Sequence, residues 1–325
     1  MKLLIPGGAG YIGSHMVRYA QEHNCEVVVL DDFSTGHDFS LKDCEVIRVN
    51  LLDQDKLYKA LKDRYFDGVI HFAAKSLVGE SIKCPDIYYR NNVVGSLNLI
   101  DAMLKNEINN IVFSSTAAIF GNPLSDKINE EHSKKPINPY GQSKLIVENI
   151  LRDICLSHDF NATCLRYFNA AGAHKSGEIG ELHDPETHLI PNILESAISS
   201  KNKLKLYGND YHTHDGTCVR DYVHVTDLAQ AHLLGLSHMQ KNKGFSVFNL
   251  GNGNGFSVMD VLKSCERVAG CQIEFEIEKR RIGDPAILVA NSDHAKITLG
   301  WKPEFNILDD IVKSAWLWHN NQKKN

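Results

Sequence analysis

Apolar residues in the first half of this 325-residue chain fall into short unbroken runs separated by longer stretches with helical spacing. Leu3-Leu4-Ile5 opens the series, and further runs follow over 26–30, 46–49, 68–72, 110–114 and 163–167. Short apolar runs of this kind are strands buried on both faces. Between them, 11–23, 54–64, 87–105 and 140–157 repeat apolar residues as one helical face does. Strand and helix in alternation predict an α/β fold, a doubly wound parallel sheet with helices on both sides. Ligands of such sheets bind beyond the C-terminal strand ends, where the strand order reverses.

Past residue 175 the texture changes. Segment 173–191 is rich in His, Gly, Asp and Pro, and shorter elements with long polar loops follow, notably 207–217. The expected organisation is a first domain over 1–175 and a smaller α/β lobe, mainly 176–325, folded over the cleft. A helical pattern at 226–236 and an apolar run at 247–250 predict that about 220–255 returns to the first domain.

Composition narrows the function classes. Hydrophobic content of 43% and charged content of 23% are ordinary for a globular protein, and the length fits about two domains. A net charge of -5 offers no basic surface for nucleic acid or an acidic membrane. No apolar stretch approaches the roughly 20 residues that span a bilayer, and the N-terminus lacks a signal-peptide core. The eight cysteines are scattered without a C-x-x-C, so a reduced, cytoplasmic protein is expected. No metal site is expected: His212 and His214 lack a third ligand at convincing spacing and read as a solvated loop.

The chemistry starts at once. The first strand runs into Gly7-Gly8-Ala9-Gly10-Tyr11-Ile12-Gly13, a helix follows, and Asp31 ends the second strand eighteen residues beyond Gly13. Gly7 allows the tight turn, Gly10 lets backbone N–H groups approach a pyrophosphate, and Gly13 lets the helix pack on the sheet. The helix also points its positive end at the phosphates. A carboxylate at Asp31 accepts both ribose hydroxyls and repels a 2′-phosphate, which favours NAD over NADP.

A second constellation lies further on. Asn138-Pro139 reads as a helix start, and it places Tyr140 and Lys144 four apart on one face. A neighbouring ammonium favours the phenolate, bringing a tyrosine toward working range as a base. A hydroxyl at the fifth strand's end completes the set. Of Ser114-Ser115-Thr116, the expected residue is Thr116.

The GxxGxxG spacing with Tyr-x-x-x-Lys resembles the short-chain dehydrogenase/reductase superfamily. Strings almost end to end resemble its extended UDP-glucose 4-epimerase branch: GGAGYIGSH from Gly7, FAAKSLVGES from Phe72, RYFNAAGAH from Arg166, DGTCVRDYVHV ending at Val225, and RRIGDPA from Arg280. The resemblance implies NAD contacts from Tyr11, Ile12, Asp31, Asp32, Phe33, Ser34, Thr35, Gly36, Phe72, Ala73, Ala74, Lys75, Ser76, Asn91, Tyr140, Lys144 and Phe168. Asn50-Leu51 stands where the family usually has an acid beside adenine. The UDP moiety would be held by Asn169, His188, Leu189, Lys205, Leu206, Tyr207, Arg220, Arg281 and Asp284, with His188 replacing the commoner Asn. Two arginines converging on a pyrophosphate suit the guanidinium fork. Leu288 matches a wall position against the sugar C2 substituent, usually Tyr where N-acetyl groups are excluded. Its other reading is a plain strand residue of the core.

The implied activity is interconversion of UDP-galactose and UDP-glucose through a 4-keto sugar, with retained NAD, in galactose and nucleotide-sugar metabolism. The N-acetylated pair is a further expected substrate, and the resemblance implies a homodimer through 87–105 and 140–157. Two rivals remain. A 4,6-dehydratase needs an acid pair after the catalytic Thr, where Ala117-Ala118 stands here. A non-enzymatic NAD(P) sensor has no need of Tyr140, Lys144 and Thr116 together.

Overall fold

A computed structural model describes residues 1–199, 203–281 and 284–322. Seven parallel strands form the main sheet: β1 (Lys2–Pro6), β2 (Glu26–Asp31), β3 (Glu45–Arg48), β4 (Gly68–His71), β5 (Asn110–Thr116), β6 (Asn161–Tyr167) and β7 (Phe245–Leu250). Their spatial order is β3-β2-β1-β4-β5-β6-β7. The order reverses at β1, which lies between β2 and β4. A crevice therefore opens beyond the C-terminal ends of β1 and β4.

Burial follows the two-residue period of a strand. Leu3 and Ile5 join one core with Val27, Val29, Ile70 and Leu165, covered by helices Tyr11–Glu22 and Val225–Met239. Leu4 faces the other way into Val28, Leu30, Val69, Ile111 and Phe113, covered by helices Gly95–Lys105 and Pro139–Ser157. Each fully buried aliphatic side chain here contributes about 1.5–3 kcal/mol relative to exposure. A third core gathers Ile190, Leu194, Leu206, Tyr222, Val261 and Ile311 around helices Leu189–Ile198, Val258–Ala269 and Leu308–Gln322.

The structure corrects two expected elements. The helix expected over 87–105 is three pieces: α-helix Pro85–Tyr88, π-helix Tyr89–Val94, then α-helix Gly95–Lys105. Within the π segment the Asn92 amide accepts from the Lys75 N–H at 2.9 Å and donates to the Lys75 carbonyl at 3.0 Å. That bracket ties the segment to the loop after β4, and apolar spacing carries no trace of it. Strand β5 also runs past the apolar 110–114 to Thr116, because Ser115 pairs with Arg166 and Thr116 with Tyr167 across the ladder. Its polar side chains are satisfied inside: the Ser115 hydroxyl donates to Glu148 at 2.5 Å, and Arg166 pairs with Glu148 at 2.7 Å.

Candidate functional site

The glycine turn is shaped by contacts that no side chain could occupy. Gly7 has φ +81°, and a Cβ there would lie 2.4 Å from the Ala73 nitrogen. A Cβ on Gly13 would lie 2.0 Å from the Gly7 carbonyl oxygen. Gly10 differs, since the nearest atom to an added Cβ is 3.5 Å away. It caps helix Tyr11–Glu22 without a side-chain cap, and the first turn has no acidic residue. Unclaimed N–H groups at a positive helix end, beside a gap that a methyl would begin to fill, fit a dinucleotide pyrophosphate.

The ribose side follows from the end of β2. Asp31 accepts from the Ala9 and Phe33 N–H groups, each at 2.9 Å, and burial raises its pKa. Asp32 accepts from the Ser34 N–H and, at 2.5 Å, from the Asn50 amide, so Asn50 is already committed. Gly36 approaches Ala9 closely enough that an added Cβ would lie 2.6 Å from the Ala9 Cβ. Phe72 and Ala73 both donate to the Pro6 carbonyl, at 2.8 and 2.9 Å, joining the ends of β4 and β1. Ala74, Lys75 and Ser76 continue from there, and Asn91 donates to Asn92 in the π segment. Ile12 lies in the first helical turn, while Tyr11 gives its hydroxyl to the Gly172 carbonyl at 2.6 Å. Leu51 is buried beside Gly95, and its carbonyl accepts from the Asn98 amide at 2.9 Å.

The reactive group sits at the end of β5. Asn138 caps helix Pro139–Ser157 by accepting from the Gly141 N–H at 2.8 Å. Gly141 packs so closely that an added Cβ would lie 2.5 Å from the Ala118 carbonyl oxygen. This approach sets Tyr140 beside Thr116, whose hydroxyl favours the phenolate. Lys144, one turn on, donates to the Ser114 carbonyl at 2.8 Å and lies 4.8 Å from the Phe113 ring centre.

Burial raises the Tyr140 phenol, opposed by the Thr116 hydroxyl. Lys144 itself is pulled down to about 7 by burial. Desolvation of both groups outweighs their mutual help while the ammonium is turned to Ser114.

The residues expected to hold UDP are built differently. Arg220 ion-pairs with Asp284, and Arg281 lies 4.1 Å from the Tyr207 ring centre. Lys205 pairs with Glu278 at 3.2 Å on the exposed face of strand Leu204–Tyr207. Leu206 points into the third core, so its side chain is not a ligand contact. Leu189 packs at the edge of that core. Asn169 opens strand Asn169–Ala171 and donates its N–H to the Asp221 carbonyl. His188 precedes helix Leu189–Ile198, with Nδ1 at 2.9 Å from both Glu181 and Glu186. Leu288 pairs in register with Arg220 and packs with Phe168 on Ala117, Ile119 and Phe120, next to Thr116.

Several neighbours escaped the sequence reading. Ser114 and Tyr167 hydrogen-bond through their hydroxyls, and both burial and Tyr140 raise the Tyr167 phenol. Glu148, two turns past Tyr140, carries the buried pair with Arg166. Glu181, His183 and Glu186 surround His188. Only Glu148 left a signal, as an acid on the inner face of the catalytic helix.

Residues 3–251 match the NAD dependent epimerase/dehydratase family. The chain belongs to that family. It is 46% identical to the UDP-glucose 4-epimerase of Halalkalibacterium halodurans, over 98% of this chain and 96% of that one. The crystal structure of UDP-glucose 4-epimerase from Brucella ovis in complex with NAD superposes with a TM-score of 0.94 at 42% identity, covering 97% of each chain. The UDP-Glc/GlcNAc 4-epimerase from Campylobacter jejuni superposes at 0.86 with 38% identity, over 98% of this chain and 99% of that one.

Proposed function

We propose that this protein is an NAD-dependent UDP-glucose 4-epimerase. The observation that carries the reading is Tyr140 beside Thr116, one turn from Lys144, at the strand ends facing the glycine turn. The turn 7–13, Asp31 and the loop 72–76 would hold the cofactor. Bound NAD supplies a reversible hydride acceptor and, when oxidised, a positive charge that favours the phenolate. Tyr140 takes the proton of the sugar 4-hydroxyl as C4 is oxidised, and returns it when the opposite face of the 4-ketone is reduced. Thr116 holds both oxygens in line for that transfer. Lys144, once its ammonium leaves Ser114 for the cofactor ribose, supplies the charge that burial now suppresses.

The second lobe serves as the substrate domain. Arg220 and Arg281 grip the diphosphate of UDP while the sugar stays free to turn. Leu288, shorter than Tyr, leaves room for an N-acetyl group, so UDP-GlcNAc and UDP-GalNAc are interconverted as well. Elimination chemistry is disfavoured because Ala117 and Ala118 supply no carboxylate after Thr116. We read the protein as a cytoplasmic homodimer joined through helices Gly95–Lys105 and Pro139–Ser157, which expose Leu97 and Leu156. Among the described residues no helix is long and apolar enough to cross a membrane.

The test is direct. Purified protein incubated with UDP-galactose should form UDP-glucose by NMR without added cofactor. Conversion to a stable 4-keto-6-deoxy sugar instead would replace the reading with a dehydratase.

A further inference from the structure

Four side chains outside the catalytic group converge just before helix Leu189–Ile198: Glu181, His183, Glu186 and His188. One donor atom from each lies within 4.8 Å of the others. His188 Nδ1 is 2.9 Å from Glu181 and 2.9 Å from Glu186, and His183 Nδ1 is 3.5 Å and 3.3 Å from the same two carboxylates. Zinc at about 2.0–2.2 Å from four nitrogen and oxygen donors requires tetrahedral edges of about 3.4 Å. The observed separations straddle that value.

The cluster is also built to stay in place. The Glu181 and Glu186 side chains are each only 7% exposed. Glu186 accepts the N–H groups of Thr187 and His188, each at 2.7 Å. The Glu181 carbonyl accepts from the Trp318 indole at 3.0 Å. Two buried carboxylates facing each other need positive charge, and His183 and His188 lie against both. His188 is the more open member, with its side chain 41% exposed, and it leaves an entry path.

We infer that Glu181, His183, Glu186 and His188 form a structural site for a divalent zinc-class ion. Two imidazoles and two carboxylates suit zinc over magnesium or calcium, which prefer oxygen donors alone. A bound ion would cross-link residues 181–188 and fix the start of helix Leu189–Ile198. Its consequence for nucleotide binding through His188 and Leu189 rests on the epimerase reading, whereas metal stoichiometry does not.

Untagged full-length protein, stripped with chelator and returned to zinc chloride, is assayed by elemental analysis and by competition with a chromophoric chelator. The expected result is one zinc per chain. Affinity should fall roughly 100-fold or more in His183→Ala and in Glu186→Gln, because even the partners of metal ligands cost 10–100-fold. His214→Ala, in the more exposed cluster with Asp215 and Asp260, should leave it unchanged. Cobalt in the wild-type protein should show the intense visible absorption of four-coordinate nitrogen and oxygen ligation, a readout independent of how the variants fold. Absence of stoichiometric zinc overturns the assignment. So does zinc binding indifferent to both variants, or a cobalt spectrum with six-coordinate or thiolate character.

Discussion

The cofactor half and the substrate half reach readiness by different routes. Around β1, β2 and β4 the site is mostly backbone: glycine turns, an uncapped helix start and peptide N–H groups held on Asp31. Around Arg220, Arg281 and Lys205 it is side chains, each already holding an internal partner in Asp284, Tyr207 or Glu278. A backbone cradle presents its donors without rearrangement. On the proposed function, paired charges must exchange partners when a diphosphate arrives, which costs affinity but lets the lobe stay folded without ligand.

The comparison is sharpened most by removing the reactive group. Tyr140→Phe should keep fold and bound NAD while turnover drops about 10²–10⁴-fold, measured by steady-state kinetics with cofactor content read from the protein's absorbance. Near wild-type turnover would move the base elsewhere. On the substrate side, Leu288→Tyr should reduce kcat/KM for UDP-GlcNAc roughly 10–200-fold, with little effect on UDP-glucose. Equal loss for both sugars would return Leu288 to a plain packing role.

The glycines separate architecture from ligand. Gly13→Ala forces a methyl against the Gly7 carbonyl and should lower the stability of cofactor-free protein by about 1–3 kcal/mol in denaturant melts. Gly10→Ala meets nothing closer than 3.5 Å, so stability should hold while NAD affinity falls in titrations. Equal melts for the two variants would contradict the packing.

The most gradual effect is a pH slope. Burial, reinforced by Lys144, lowers the His71 imidazole to about 3, and its Nε2 lies 2.8 Å from the Ser96 hydroxyl. A base depressed in the folded state stabilises fully above its unfolded pKa near 6.5. Below that pH the unfolded chain gains the proton first, and stability is lost toward pH 3. His71→Gln should therefore flatten the stability–pH curve in that window by roughly 1 kcal/mol per pH unit.

Legibility in the sequence tracks distance along the chain. The β1 strand, its glycine turn, the following helix and Asp31 were readable because their causes are local. Tyr140 and Lys144 were readable as neighbours on one helix. The Ser114–Tyr167 bond was not, because only the β5–β6 register brings those hydroxyls together. The same holds for the Arg220–Asp284 pair, made between strand Val219–Arg220 and a distant loop. The Tyr89–Val94 π segment was hidden for another reason: its one buried residue is the polar Asn92, which apolar spacing does not register. The direction of Lys144 was also closed to spacing arguments, since burial and the Ser114 carbonyl decide it.

The seventh strand has a consequence for how the molecule is made. Phe245–Leu250 pairs along the whole of Asn161–Tyr167, yet the ribosome delivers it only after the third core's first helix and strands have emerged. Until then the outer edge of β6 carries an unsatisfied row of N–H and C=O groups, a template for pairing with another chain. The nascent protein thus passes through a long interval with an open edge, and its first domain cannot be finished before part of its second. Chaperone demand during synthesis should peak in that interval, and a fragment ending near residue 200 should aggregate where the full chain does not.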